Sequence, residues 1–161
     1  MDQYVLVLNC GSSSIKFAII DPKTGLAPLH GLAENIGTAS SRLNFSYRNQ
    51  QHNAELADNA DHQQALAVIA KTLKQFSHLG KQVVSVGHRV VHGGEKFTHS
   101  TLINDQVKQA IQQTSLMAPL HNPANLAGIS SAQTSFPHLP HVAVFDTAFF
   151  QTMPKHAYLY T

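Results

Sequence analysis

Four short stretches hold the side chains in this sequence that are capable of chemistry. The first, residues 6 to 20, reads LVLNCGSSSIKFAII: Asn9, Gly11, Ser12, Ser13 and Ser14 interrupt two apolar segments, and Lys16 follows inside the second. Serine hydroxyls, the amide N–H groups of a tight loop and one ammonium are groups that bind oxygen-rich anions. The patterns G-x-x-x-x-G-K-[ST] and G-x-G-x-x-G are absent, and both need a helix directly after the loop. Here Ile15 to Ile20 is patterned as a strand instead. The residues leave two readings level: a hairpin cradle for a phosphate, and a plain serine-rich turn.

The second stretch, residues 87 to 94, reads GHRVVHGG. On a helix His88 and His92 would make a metal pair, but glycines on both sides and two valines inside read as extended chain. Four residues of strand separate the two imidazoles by roughly 13 Å. Zinc holds nitrogen at about 2.0 to 2.1 Å, so they do not share an ion. Alternation puts Arg89 and Val91 on one face and His88, Val90 and His92 on the other. A guanidinium fork beside a small apolar patch suits a short carboxylate with a small alkyl tail. An arginine paired with an internal carboxylate is the equal alternative.

The remaining two stretches are APLHNP, residues 118 to 123, and FDTAF, residues 145 to 149. His121 stands at the start of a helix, where backbone N–H groups favour an anion and the imidazole can donate to a phosphoryl oxygen; a surface histidine beside a cap is the plainer reading. Asp146 stands at the carboxyl end of a buried strand, where ligands gather in open α/β sheets. It can hold Mg²⁺ directly or through water, or simply cap the turn that follows.

The elements that must position these groups follow from the apolar pattern. Tyr4 to Leu8 is continuously apolar and Ile15 to Ile20 alternates, which gives a hairpin. Asp21 to Gly25 is a turn, with a third strand starting near Leu26. Residues 36 to 60 are polar and poorly patterned apart from a short strand at Leu43 to Tyr47. Asp61 caps a helix carrying Leu66, Ile69, Leu73 and Phe76 that runs to Gly80. A valine-rich strand at Gln82 to Val91 follows, then a helix capped by Asn104 with Val107 and Ile111 inward. Asn122 as cap and Pro123 at the first helical position open a third helix. Val142 to Phe145 is a strand, and Ala157 to Tyr160 is strand-like. This order gives one α/β domain, a mixed sheet with helices on its faces, with no linker and no repeats.

Composition narrows the partners. The chain has 161 residues, 12% of them charged, and a net charge of +2. Charged residues are thus about half the usual ~25%, a hint of a face that packs against something else. Lys and Arg form no stripe, which speaks against nucleic acid. No apolar run approaches the roughly 18 residues of a membrane span, and no export signal begins the chain. The single cysteine, Cys10, fits a reducing compartment, with the cytoplasm as the simplest one. The chain stops just after a strand-like segment at Thr161, as a truncated chain would.

In their order and spacing, LNCGSSSIKF, GHRVVHGGEKF, APLHNPANL and VFDTAFFQTMP resemble the acetate kinase family across essentially the whole chain. The resemblance implies a ribonuclease H-like, actin-like ATPase fold. It makes residues 1–161 the N-terminal domain, with a C-terminal domain that binds the adenosine and forms most of a homodimer interface lying outside this chain. The implied reaction is reversible phosphoryl transfer between ATP and acetate, giving acetyl phosphate and ADP, with Mg²⁺. The implied roles are Asn9 as a Mg²⁺ ligand, and Ser12, Ser14 and Lys16 on the phosphates. Arg89 would bind acetate or acetyl phosphate, Val91 and Leu120 would line the methyl pocket, His121 would steady the phosphoryl group, and Asp146 would be the catalytic carboxylate. One departure is visible: Phe150 stands where the family usually has His. The alternatives are a propionate or butyrate kinase, and a lobe that binds phosphate or acyl phosphate without chemistry, since the adenosine site would be missing from this piece.

Overall fold

Apolar residues from Tyr4 to Cys10 form strand β1, and everything else in the fold is arranged around it. The computed structural model describes residues 3–76, 79, 82–93, 97, 99–116, 119 and 121–146. Leu120, Phe150 and the strand-like segment at 157–160 lie outside the described residues. β1 pairs antiparallel with β2 (Ile15–Ile20), from Val5 opposite Ile20 to Cys10 opposite Ile15, which is the expected hairpin. On its other edge it pairs parallel with β6 (Val83–Val90).

The sheet has eight strands in the order β5-β4-β3-β2-β1-β6-β8-β7. The remaining strands are β3 (Leu29–Glu34), β4 (Arg42–Tyr47), β5 (Gln50–Glu55), β7 (Thr101–Leu102) and β8 (His141–Phe145). Its first half is an antiparallel meander, and β1, β6 and β8 run parallel, so the mixed sheet read from the sequence is present.

Several local boundaries differ from expectation. The third strand starts at Leu29 and not near Leu26, which is 69% exposed. Asp21 accepts from Lys23 N and Thr24 Oγ1 and holds the turn in place, and Pro28 has no N–H to give a ladder. The polar region 36–60 contains a full edge strand, β5, joined to β4 by Arg48 and Asn49 with φ of 48° and 66°. Two consecutive left-handed residues are what a two-residue hairpin turn needs, here without glycine as a marker. The first helix, α1 (His62–Gln75), ends at Phe76 and not at Gly80.

α1 begins with the expected Asp61 cap. Gln64 N donates to Asp61 Oδ1 at 2.8 Å while Asp61 N donates to Gln64 Oε1 at 2.9 Å, closing a reciprocal pair. Asn104 likewise caps α2 (Asp105–Gln113) by accepting from Val107 N at 2.9 Å. The third helix, α3 (Asn122–Ser135), departs from expectation: its cap is His121, with no side-chain cap bond, and Asn122 is its first residue, fully buried. The Asn122 amide is spent on tertiary partners described below.

Side chains alternate across the sheet, so Leu6, Leu8, Phe17, Val86 and Phe145 face one way and are buried. Among the described residues all three helices contribute to the clusters on that side, Leu66 and Ile69 of α1, Val107 and Ile111 of α2 and Ile129 of α3 included. The opposite face carries Val5, Val7, Ala18 and Ile20, all half-buried, and Val144, which is exposed. No helix of the described residues is long and apolar enough to cross a membrane.

Candidate active site

The three parallel strands end on the same edge of the sheet, and the chemistry-bearing residues cluster there. β1 and β6 pair as far as Leu8 beside His88, and β6 and β8 pair as far as Val90 beside Phe145. One residue beyond those pairs lie Asn9 and Asp146, and Arg89 is the last residue but one of β6. Because Leu8, His88, Val90 and Phe145 point into the core, Asn9 and Arg89 point to the other face. Lys16 is the direct cross-strand partner of Asn9, so it projects from that same face.

Arg89 and Asp146 form a two-pronged ion pair. Arg89 Nε donates to Asp146 Oδ1 at 3.0 Å and to Oδ2 at 3.2 Å, and Nη2 donates to Oδ2 at 2.8 Å. The Asp146 hydrogen bonds, and then its charge, push the Arg89 pKa above its ordinary value. The side chains are 53% and 29% exposed, so the pair is reached by solvent, where such pairs contribute little to stability.

The loop Gly11–Ser14 is tied back by its carbonyls. Gly11 O meets His62 Nε2 at 2.7 Å, Ser13 O accepts from Ile36 N at 3.0 Å, and Ser14 O accepts from Gly11 N at 2.8 Å. With three of its carbonyls and the Gly11 N–H engaged, the loop keeps the hydroxyls of Ser12, exposed, and Ser14, half-buried, as groups able to donate. That is the polarity an anion cradle needs. Cys10, next to the loop, is buried, and burial pushes its thiol up to about 12, which removes it as a nucleophile at neutral pH.

Val91 falls in the bend just past β6, half-buried, so the strand ends one residue short of the expected boundary. His121 is exposed in the turn before α3, and its carbonyl accepts from Asn125 N at 2.9 Å. It therefore sits one helical turn from a residue, Asn125, that bonds both the end of β1 and the chain just past β6. The site thus gathers Asn9, Lys16, Arg89 and Asp146 on one face at one edge, with the Gly11–Ser14 loop and His121 attached to the same strand ends.

His88 lies on β6 and not on a helix, in agreement with the strand reading. It is buried in the core, where its Nε2 lies 2.9 Å from Nδ1 of His141, whose own Nε2 lies 3.0 Å from Phe136 O. The carbonyl can only accept, so His141 carries its proton on Nε2 and His88 donates to His141. Burial first, then the neighbouring His141, lowers the His88 pKa to about 3, and burial lowers that of His141. Among the described residues no group of three or more His, Cys, Asp or Glu is arranged to hold a metal ion.

Three supporting residues were invisible in the sequence pattern. Asn125 Nδ2 donates to Cys10 O at 2.8 Å while Asn125 Oδ1 accepts from Val91 N at 3.2 Å. Asn122 Nδ2 donates to His92 O, Ile111 O and Thr114 Oγ1, and its Oδ1 accepts from His92 N. His62 holds the loop as described. Buried amides reveal themselves only through tertiary partners, and the sequence offered just the Asn-Pro signal of a helix start.

A sequence profile of the acetokinase family matches residues 4–161. The acetate kinase of Pseudomonas aeruginosa strain LESB58 is 53% identical over 156 residues, covering 97% of this chain and 39% of its own length. That of Shewanella amazonensis is 51% identical over 157 residues, with the same 97% and 39% coverage. Among solved structures, a propionate kinase from Francisella tularensis superposes with a TM-score of 0.88 at 45% identity, over 96% of this chain and 39% of that one. The acetate kinase of Porphyromonas gingivalis gives a TM-score of 0.86 at 39% identity, over 99% and 41%. The chain spans about two fifths of the length of these relatives.

Proposed function

The chain belongs to the acetokinase family, and from that premise we propose that it is the acid- and phosphate-binding part of an acetate kinase, which transfers the γ-phosphoryl group of ATP reversibly to acetate. The observation that carries the proposal is the convergence of Asn9, Lys16, Arg89 and Asp146 on one face at one sheet edge, with a guanidinium held open to solvent. Residues 1–161 form the N-terminal domain in this reading. The adenosine site and a homodimer interface belong to a C-terminal domain, and this chain alone does not turn over ATP. With one buried cysteine and no membrane-spanning helix among the described residues, the cytoplasm is the compartment proposed.

Both substrates are anions, so the site must cancel charge before the reacting oxygens meet, and phosphoryl transfer depends chiefly on positioning and electrostatics. Arg89 takes the carboxylate of acetate through its planar fork, and Val91 with Leu120 receives the methyl group. Lys16 and the donors of Ser12 and Ser14 hold phosphate oxygens. His121 donates to the phosphoryl group as it passes between the two. The acid is already ionised at neutral pH, since carboxylates titrate near ~4, so no base is required. The donor set fits Mg²⁺, because the Asn9 amide oxygen and the Asp146 carboxylate are hard oxygen ligands and this ion takes one or two of them along with phosphates and water. Bound there, Mg²⁺ supplies charge neutralisation for the phosphate oxygens. Asp146 accordingly orients the ion or its water and removes no proton.

A second reading, propionate as the preferred acid, is favoured by the superposition on the Francisella propionate kinase. One methylene at the pocket is worth only about 1 to 3 kcal/mol. The test is hydroxylamine trapping of acyl phosphates made by a full-length protein carrying this chain, with acetate, propionate and butyrate in parallel. Highest kcat/KM on acetate supports the main reading, highest on propionate or butyrate replaces it by the second, and no acyl hydroxamate with any acid overturns both.

A further inference from the structure

We propose that Asn125 is a positioning residue that sets the separation between the phosphate side and the acid side of the site, an inference that rests on the kinase reading above. The paired ladder between β1 and β6 stops at Leu8 beside His88. Beyond that pair the ladder has no further rung, and the Asn125 carboxamide bonds to the chain on each side. Its donor end is bonded to Cys10 O at 2.8 Å and its acceptor end to Val91 N at 3.2 Å, so one planar group replaces the missing ladder bonds. Cys10 adjoins Asn9, and Val91 lies two residues from Arg89.

Its helix is held on both sides, by the chain leaving β6 and by β1. One turn earlier, Asn122 binds both the N–H and the carbonyl of His92, which fixes α3 to the chain leaving β6. One turn later, Gly128 lies so close to β1 that a Cβ there would sit 2.5 Å from Cys10 Cβ and Sγ. Asn125 is itself buried, 5% exposed, and both polar ends of its amide are matched. A group needed only for solubility or for capping would have no reason to join the end of β1 to the chain leaving β6, 115 and 34 positions away in sequence.

Losing this spacer leaves each half-site intact and changes only their distance. Acetate still meets Arg89, and phosphate still meets Lys16 and the serine loop, so both KM values hold. Transfer slows, since about 1 Å of misplacement between reacting groups costs on the order of 100-fold. The experiment compares wild type with Asn125→Asp, which keeps the acceptor for Val91 N and turns the donor against Cys10 O into a repulsion. Asn125→Ser is the second variant in case the first fails to fold. Each is assayed in a full-length protein by hydroxylamine trapping, per mole of protein folded by near-ultraviolet circular dichroism.

The expected result is a kcat lower by roughly tenfold or more with KM for acetate and for ATP within about threefold of wild type. A kcat per folded molecule equal to wild type, with only the unfolding temperature lowered, makes Asn125 structural and overturns the inference. A raised KM with unchanged kcat makes it part of a binding site and overturns it too. A wild-type protein that forms no acyl phosphate overturns the kinase reading and this inference together.

Discussion

Asp146 grips one edge of the Arg89 guanidinium with both carboxylate oxygens, Nε to Oδ1 at 3.0 Å and Nη2 to Oδ2 at 2.8 Å, across 57 positions of sequence. The fork proposed to take the substrate acid is thus held by an internal acid, and a ligand for Asp146 would release it. Asp146→Asn is expected to raise the Mg²⁺ concentration needed for half-maximal rate and to lower kcat, while KM for acetate does not rise because Arg89 is freed. Mg²⁺ titrations of the rate check this. Wild-type Mg²⁺ dependence together with loss of one rate-controlling ionisation would instead mark Asp146 as a base.

Removing the fork has the opposite signature. Arg89→Ala should lower kcat/KM for acetate by roughly 10²- to 10³-fold, the scale for a donor aimed at developing charge. Arg89→Lys should recover little, because an ammonium is a point charge and cannot grip a carboxylate with two parallel bonds. Unchanged kcat/KM in Arg89→Ala removes this residue from the site.

The close approach of α3 to β1 predicts a steric effect. In Gly128→Ala the new methyl carbon would sit 2.5 Å from Cys10 Cβ and Sγ, so helix and strand must separate. The expected cost is about 1 to 3 kcal/mol of stability, read by urea unfolding of this chain. Adding Cys10→Ala removes the sulfur but not Cβ and should restore only part of it. Full restoration would show that the contact with Cβ is unimportant.

The buried histidine pair predicts acid sensitivity. His88 holds a pKa of about 3 in the fold, against 6.5 for a free imidazole, with burial as the main cause, and His141 is shifted the same way. Between those values the unfolded chain binds protons that the folded chain refuses. Stability is therefore full above pH 6.5 and falls as pH drops from 6.5 toward 3. The slope approaches about 1.4 kcal/mol per pH unit for each such group. Urea unfolding at a series of pH values measures it, and His88→Gln, which retains an N–H for His141, should flatten the curve. An unchanged slope in His88→Gln assigns the effect to other groups.

Much of the framework was legible because it follows from burial. β1, β2, β6 and β8 are mostly apolar on the side that the helices cover, His88 and His141 being the exceptions, and Asp61 and Asn104 are local caps whose partners lie three residues away. What stayed hidden depends on distant partners or on edges. β5 carries Gln50, Gln51, Asn53 and Glu55 because an edge strand needs no apolar alternation, and its turn uses Arg48-Asn49 where Asn-Gly would have been recognised. Asn122 read as a cap because Asn before Pro is the usual cap signal, yet its amide went to His92, Ile111 and Thr114. His141 gave no signal at all: only the fold brings it to His88. For Arg89, a bound acid and an internal carboxylate were level alternatives in the sequence. The structure contains the internal one, and the proposed chemistry adds the other.

The claim on which the rest depends is that the serine loop, Arg89 and Asp146 serve one ligand. Titrating acetyl phosphate into a full-length, isotope-labelled protein while following the backbone amides of Ser12, Ser14, Arg89 and Asp146 tests it most directly. The account predicts that all four shift together along one saturation curve, and that Arg89→Ala weakens that curve for every one of them. Separate curves, or shifts at the loop that ignore Arg89→Ala, would contradict it.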